Sequence, residues 1–486
     1  MALWAGWSSP ALAEPLSEAI WLVRPGDTVA NIAQRLYPQD PDRRARFREA
    51  LIEANPQRFL DVDEPQRLRP GDRLAIPESA AARARGLIGP GAPLAPEPHP
   101  PPPQETPFIL SGEWSGSLTP ELQVFFQDPD LGPDYRVNLS IAFEPQYYLN
   151  WDDGDQALVI RPFARLDQRD GRRTHFDLRE LNWLKISGDW EWLVGIGKVF
   201  WGVTEFVHLV DIINQTDQVE NIDGEDKLGQ PMVKLAWLRD WGAMELYVLP
   251  YFRERTFAGR GARLRPALVV NTKRTQYESG AERHHIDVAA RVSGTLGVVD
   301  FGLSQFIGTA REPELLLGSD GRGRPALIPR YNQMRQTGLE LQAIVGGWLW
   351  KLEALRQDNP AEDFFAAIGG FEYTFFGVFE TAADIGVVSE YSYDGRDERL
   401  IAPFQNDLFL GLRLTLNDVQ STQLLAGGSV DLDNRARTFR IEAARRFGDH
   451  WKLDLELQTF SNLSEKDPLF DLEHDGFVRI DFGYFF

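Results

Sequence analysis

The chain ends in Gly476-Phe477-Val478-Arg479-Ile480-Asp481-Phe482-Gly483-Tyr484-Phe485-Phe486, and this stretch restricts the fold more than any other. Side chains alternate across a strand with a period of two. Val478, Ile480, Phe482, Tyr484 and Phe486 therefore share one face, and Arg479, Asp481 and Gly483 share the other. One face apolar with aromatics near its ends and the other polar suits a strand between lipid and water. It also suits a core strand of a soluble sandwich, so the choice falls to the rest of the chain.

From Phe108 onwards strand follows turn, with no sustained helical period. Trp451, Leu453, Leu455 and Leu457 alternate with Lys452, Asp454, Glu456 and Gln458, and Trp350, Leu352 and Ala354 with Lys351 and Glu353. Strand starts fall near Phe108, Tyr135, Gln156, Arg173, Trp190, Lys227, Gly242, Gln276, Val298, Ala326, Trp348, Asp363, Thr381, Gln405, Ser421, Arg437, Trp451 and Gly476. Every second connection is short, as at Ser187–Asp189, Asp240–Trp241 and Gly346–Gly347. Those between are often long, as at Trp201–Asp226, Arg253–Lys273 and Arg311–Pro325. That asymmetry belongs to membrane barrels, whose periplasmic turns are short and outer loops long. The expectation is an antiparallel transmembrane β-barrel over 108–486, of about 18 strands with 16 the alternative. Both termini then lie on the short-turn side. The apolar phase slips between Phe176 and Ile186, which predicts a bulge, and Pro120 interrupts the first strand.

Composition closes several alternatives. No run approaches the ~18 apolar residues of a membrane helix, whereas a barrel needs only every second residue apolar. Aromatic content is 12%, with 14 Trp and 30 Phe, enough for interfacial girdles. There is no Cys, which removes thiolate metal sites and Cys nucleophiles, and a formal net charge of -21 disfavours nucleic-acid binding. No Gly-x-Ser-x-Gly, His-Glu-x-x-His, P-loop or dinucleotide motif is present, so no catalytic residue, cofactor or metal ligand is assigned. His284 and His285 are read as strand neighbours facing opposite ways. Asp128, Asp130 and Asp134 are read as a solvated turn.

The N-terminal part is different. Residues 1–19 are read as residual signal peptide, with Ala11-Leu12-Ala13 before a cleavage point at Glu14. Over 20–78 a strand at Trp21-Leu22-Val23 is followed by the turn Arg24-Pro25-Gly26-Asp27-Thr28. Two helical stretches come next, then the turn Leu68-Arg69-Pro70-Gly71-Asp72 and a strand at Arg73–Pro77. This βααβ order resembles a LysM domain. Its middle, with Phe47, Ala50-Leu51, Ala54-Asn55-Pro56 and Phe59, resembles the longer variant in periplasmic pilus-assembly hub proteins. The resemblance implies binding of N-acetylglucosamine-containing glycan, here peptidoglycan, through Gly26, Asp27, Thr28, Asn55 and Pro56. Residues 79–107 form a proline-rich linker that in polyproline II could span on the order of 50–60 Å. The aromatic C-terminal strand resembles the terminal signature of Gram-negative outer-membrane proteins.

The connection Trp201–Asp226 stands apart. It holds Glu205, Asp211, Asp217, Glu220, Asp223, Glu225 and Asp226, together with an apolar set of Phe206, Val207, Leu209, Val210, Ile212 and Ile213 that a solvated loop does not need. In position, length and acidity it resembles the third loop of general porins, which folds into the barrel and narrows it. Arg253 and Arg255 open a basic loop, read as the opposite wall of a constriction. These readings imply an outer-membrane, porin-like channel for small polar or ionic solutes, tethered to peptidoglycan. Its surroundings would be outer-membrane lipid and lipopolysaccharide, and a homotrimer is one option for its assembly. The alternatives are a non-conducting structural tether, and a secretion pore or barrel enzyme.

Overall fold

A computed structural model describes residues 20–22, 51, 73–75, 111–396, 404–465 and 467–486. The chain divides into two compact units between Thr106 and Pro107. In the first, Ile20–Leu22 pairs antiparallel with Arg73–Ala75, Ile20 opposite Ala75. Gly26, Asp27, Thr28, Asn55 and Pro56, the signal-peptide stretch and the proline-rich linker lie outside the described residues.

The second unit is a closed barrel of eighteen strands. They are β1 (Ser111–Phe125), β2 (Val137–Trp151), β3 (Gln156–Asp167), β4 (His175–Ser187), β5 (Trp190–Gly197), β6 (Gln230–Arg239), β7 (Gly242–Leu249), β8 (Asp287–Leu296) and β9 (Val299–Thr309). They continue as β10 (Gln333–Val345), β11 (Trp348–Asp358), β12 (Asp363–Phe375), β13 (Asp384–Asp394), β14 (Asn406–Thr415), β15 (Gln423–Asp431), β16 (Arg437–Phe447), β17 (Trp451–Ser461) and β18 (Phe477–Phe485). Every neighbour is antiparallel and β18 closes on β1, so no edge is left unpaired. At the seam Phe486 N–H donates to Gly116 O at 3.1 Å, and Gly116 N–H donates to Phe486 O at 3.0 Å. The expected C-terminal strand is thus the closing strand. An even strand number puts both ends of the barrel on the short-turn side.

Three local expectations meet different outcomes. The phase slip in β4 is a bulge: Arg161 faces Glu180 while Pro162 faces Leu178, which leaves Arg179 over. Pro120 does not break β1, although the ladder to β18 is interrupted there, between the Asp481↔Glu121 and Tyr484↔Leu118 pairs. The starts at Gln276 and Ala326 are not barrel strands. Gln276–Tyr277 and Pro325–Tyr331 pair parallel with each other, Glu314–Ser319 adds antiparallel, and the three make a separate sheet in the outer connections. The barrel strands begin later, at Asp287 and Gln333. Likewise His284 closes a 3-10 turn, Glu282–His284, and is not in a strand.

The wall is inverted relative to a soluble protein. Along β2, Val137, Leu139, Ile141 and Phe143 are exposed while Asn138, Ser140 and Ala142 are buried. Along β11, Trp348, Trp350 and Leu352 are exposed while Glu353 is wholly buried. Aromatics gather at the short-turn end: Trp190 stacks on Trp237, Trp348 packs on Tyr373, and Trp451 on Phe482 and Tyr484. A second exposed set, Phe176, Phe365, Tyr391, Tyr393 and Phe439, sits at the long-loop ends of its strands. Two aromatic levels around an apolar outer surface are what two membrane interfaces select.

Candidate functional site

The connection between β5 and β6, residues 198–229, lies against the inner wall. Asn214 fixes its root: the side chain accepts from Val199 N–H at 2.8 Å and donates to Gly197 O at 2.9 Å and Leu228 O at 2.8 Å. The two legs are tied by Leu228 N–H to Gln215 O at 2.8 Å and Asp217 N–H to Asp226 O at 2.7 Å.

The first leg is held by wall carboxylates. Glu353 on β11 accepts from Val203 N–H at 2.7 Å, Thr204 N–H at 3.0 Å and Val210 N–H at 3.2 Å, and from the Thr204 hydroxyl at 2.6 Å. Glu390 on β13 accepts from Glu205 N–H and Phe206 N–H, each at 2.8 Å. An irregular backbone away from water needs such partners for its N–H groups. Gly202 permits the approach, because a Cβ there would meet Glu353 Oε1 at 2.9 Å and its φ is +144°. The apolar residues read from the sequence do pack. Phe206 stacks on Phe409 and joins Ile368 and Val388; Val210, Ile212 and Ile213 join Trp201, Met232, Tyr247 and Phe306.

Six of the seven loop acids meet a basic partner there. Glu205 lies 2.8 Å from Arg413 and 3.3 Å from Lys351, Asp211 3.1 Å from Lys227, and Asp217 2.7 Å from Arg179. Glu220 lies 2.7 Å from Arg165, Asp223 2.8 Å from Arg440, and Glu225 3.4 Å from His208. Asp226 is packed beside other acids; lost hydration and then the Asp223 and Glu220 carboxylates push its carboxyl up to about 7. Burial opposes charge on the His208 ring, but Glu225 and Glu353 on either side outweigh it and raise the ring to about 9.

The two arginines expected to face these acids do not do so. Arg253 pairs with Asp177 at 2.6 Å and donates to Gly229 O at 2.8 Å, bracing the root of the loop. Arg255 lies against the outer sheet, with Glu312 at 3.8 Å, and donates its N–H to Tyr331 Oη at 3.0 Å. The countercharges are instead Arg165, Arg179, Lys351, Arg413 and Arg440, from the inner faces of β3, β4, β11, β14 and β16. Pairing continues around the wall through Lys234 with Glu191 and Glu245, Arg291 with Glu245 and Glu340, and Arg479 with Glu456 and Asp481. The inward parity of those strands was the signal for these residues; their pairing needs the closed barrel. The acidic turn is also paired, Asp128 with Arg136 at 2.8 Å and Asp130 with His474.

No protein-family model matches the sequence, and no curated protein matches it. Solved outer-membrane barrels are similar in structure. A loop-deletion mutant of OmpT, an outer membrane protein of Vibrio cholerae, gives a TM-score of 0.38 at 10% identity, covering 78% of this chain and 99% of that one. OprB of Pseudomonas putida gives 0.40 at 11% identity, covering 77% and 94%. A mutant of the Rh. blastica porin gives 0.38 at 12% identity, covering 77% and 100%.

Proposed function

We propose that the barrel is an outer-membrane channel for small polar or ionic solutes, narrowed by residues 198–229. The observation that carries the reading is the combination of an apolar, aromatic-belted outer wall with a charged inner wall that grips an inward-folded loop. In this reading the constriction is formed by Glu205, Asp211, Asp217, Glu220, Asp223, Glu225 and Asp226, with the strand-borne bases among them. In it Arg253 supports the root of the loop, Arg255 belongs with the outer connections, and neither lines the passage. The outer surface meets lipid, and lipopolysaccharide on the long-loop side. The chemistry is passage, not catalysis.

Reconstitution of the detergent-folded chain in a planar bilayer tests this. Stable ohmic steps support it, and silence from a folded barrel refutes it. Silence would favour a second reading, for which the pairing of six of the seven loop acids speaks: a barrel closed by its loop, serving as a structural anchor. In both readings the N-terminal unit holds peptidoglycan through Gly26, Asp27, Thr28, Asn55 and Pro56, supported by the βααβ sequence order and the pairing of its two short strands. Co-sedimentation with purified sacculi, lost on Asp27→Ala, is the expected result.

A further inference from the structure

Where the second leg of the inner loop meets the start of β4, three side chains converge: His175 from the wall, and Asp217 and Glu220 from the loop. His175 Nε2 lies 3.6 Å from Asp217 Oδ2 and 3.6 Å from Glu220 Oε1. All three atoms are buried, and none makes a hydrogen bond. Asp217 is wholly buried and Glu220 is 6% exposed. Asp217 Oδ2 has the Arg179 guanidinium 2.7 Å away, but His175 Nε2 and Glu220 Oε1 have no such partner, and buried polar atoms rarely stay unpartnered.

The remaining atoms of the same groups are already committed, and in a way that fixes their orientation. His175 Nδ1 lies 3.0 Å from Arg173 O. A carbonyl only accepts, so Nδ1 carries the hydrogen and, in the neutral ring, Nε2 presents its lone pair. Asp217 Oδ1 accepts from the Thr256 hydroxyl at 2.6 Å, and Glu220 Oε2 from Arg165 Nε at 2.7 Å. One imidazole lone pair thus faces two carboxylate oxygens, a repulsive arrangement unless a positive centre sits between them. A histidine whose second nitrogen donates to a backbone carbonyl, beside carboxylates oriented by their own hydrogen bonds, is the usual support of a metal ligand set.

We propose that His175, Asp217 and Glu220 bind a divalent transition-metal ion of the zinc type, clipping the inner loop to the barrel wall. One imidazole nitrogen with two carboxylate oxygens suits zinc better than the all-oxygen preference of calcium or magnesium. Tetrahedral donors around zinc are about 3.4 Å apart; the two distances to His175 Nε2 are 3.6 Å, and the two carboxylate oxygens lie within 4.8 Å of each other. Three protein donors leave a fourth position for water or an exchangeable ligand. Arg179 Nη1 is the nearest competing cation, 2.7 Å from Asp217 Oδ2 but not placed as a hydrogen bond to it. The alternative occupant of the centre is a proton on His175 Nε2. The proposal does not depend on conduction, because a loop clipped to the wall serves an open or a closed barrel equally.

The test uses the full chain folded in detergent, stripped with chelator and titrated with Zn²⁺, with bound metal counted after desalting. One equivalent is expected in the native chain and in His450→Ala and His474→Ala, and none in His175→Gln or Glu220→Gln. Thr256→Val, which frees Asp217 to rotate, should weaken affinity by about 10-fold. Binding that persists in His175→Gln overturns the proposal in favour of an adventitious surface site. Absence of binding in the native chain overturns it in favour of the protonated ring. Co²⁺ gives a check that needs no variant: intense visible absorption of a low-symmetry four-coordinate site is expected, and the spectrum of hexaaqua Co²⁺ alone refutes it.

Discussion

Long connections on the same side of the barrel solve the same problem in two different ways. Residues 198–229 lie against the inner wall and form little secondary structure of their own. Their N–H groups go to Glu353 and Glu390, and the Ile212 and Ile213 carbonyls accept from Arg311. The outer connections around 276 and 314–331 instead pair with one another as a three-stranded sheet, with Tyr331, Phe252 and Tyr277 clustered beside it. Every buried backbone group needs a partner. An inner loop can take its partners from the wall only if the wall carries charged side chains, and a loop without them must supply its own ladder. Where a connection settles is therefore decided by the strands it faces as much as by its own residues.

The sharpest way to break this contrast is to remove the wall's acceptors. Glu353→Ala with Glu390→Ala leaves the N–H groups of Val203, Thr204, Glu205, Phe206 and Val210 without partners, at about 1–3 kcal/mol for each buried group. The loop should detach while the barrel, held by its own ladders, stays folded. Single-channel conductance should rise severalfold, and protease should cut between 203 and 213 from the outer side. Unchanged conductance with an intact loop would show that apolar packing around Phe206 suffices. A smaller effect is expected from Arg413→Met, which removes one base from Glu205, keeps Lys351 beside it, and leaves Glu372 short of a partner. Breaking a buried pair costs about 3–5 kcal/mol, less here because one base remains. Denaturant unfolding should show the loss, and reversal potentials should move toward cation preference.

The same contrast separates what could be read in the sequence from what could not. Strand faces such as Val137 to Phe143 are legible because inside and outside differ in polarity at every residue. The bulge at Arg179 is legible as a slip in that alternation, and the inner loop as apolar residues where a solvated loop has none. The strands at Gln276 and Ala326 have genuine strand character, but alternation does not say which neighbour a strand pairs with, so in sequence they are indistinguishable from wall strands. The bases that face the loop acids are illegible for a related reason. Arg253 and Arg255 are close in sequence to the acids, whereas Arg413 and Arg440 reach them only once the barrel closes. The group of His175, Asp217 and Glu220 left no local signature, since loop and strand bring it together across the fold.

A third test acts through pH. His208 joins the two legs, 3.4 Å from Glu225 and 3.7 Å from Glu353. Its ring is raised from 6.5 to about 9. A raised value means the folded loop binds the proton more tightly than the unfolded chain does. That stability is fully present below about 6.5 and is lost as pH climbs through about 9. The window is therefore alkaline, and the stake is on the order of 2 kcal/mol after allowing for residual exposure. Open-channel noise should increase between pH 7 and 10 in the native chain. His208→Gln should be noisy throughout and nearly flat with pH, and a native profile in that variant would assign the dependence elsewhere.

The smallest effect should come from the outer sheet, and its smallness matters. Tyr331 is wholly buried, and its hydroxyl accepts from Arg255 N–H at 3.0 Å. Tyr331→Phe keeps the ring packing against Phe252 and Tyr277 and removes one acceptor, at about 1 kcal/mol. Because this sheet draws its partners from its own strands, the loss should stay local. Hydrogen exchange at Arg255 and its neighbours should quicken, while conductance, selectivity and the protection of residues 203–213 remain as in the native chain. A change in conductance from so remote a hydroxyl would show that the outer sheet presses on the inner loop through the Asp217–Thr256 bridge, and that sheet and loop are one mechanical unit.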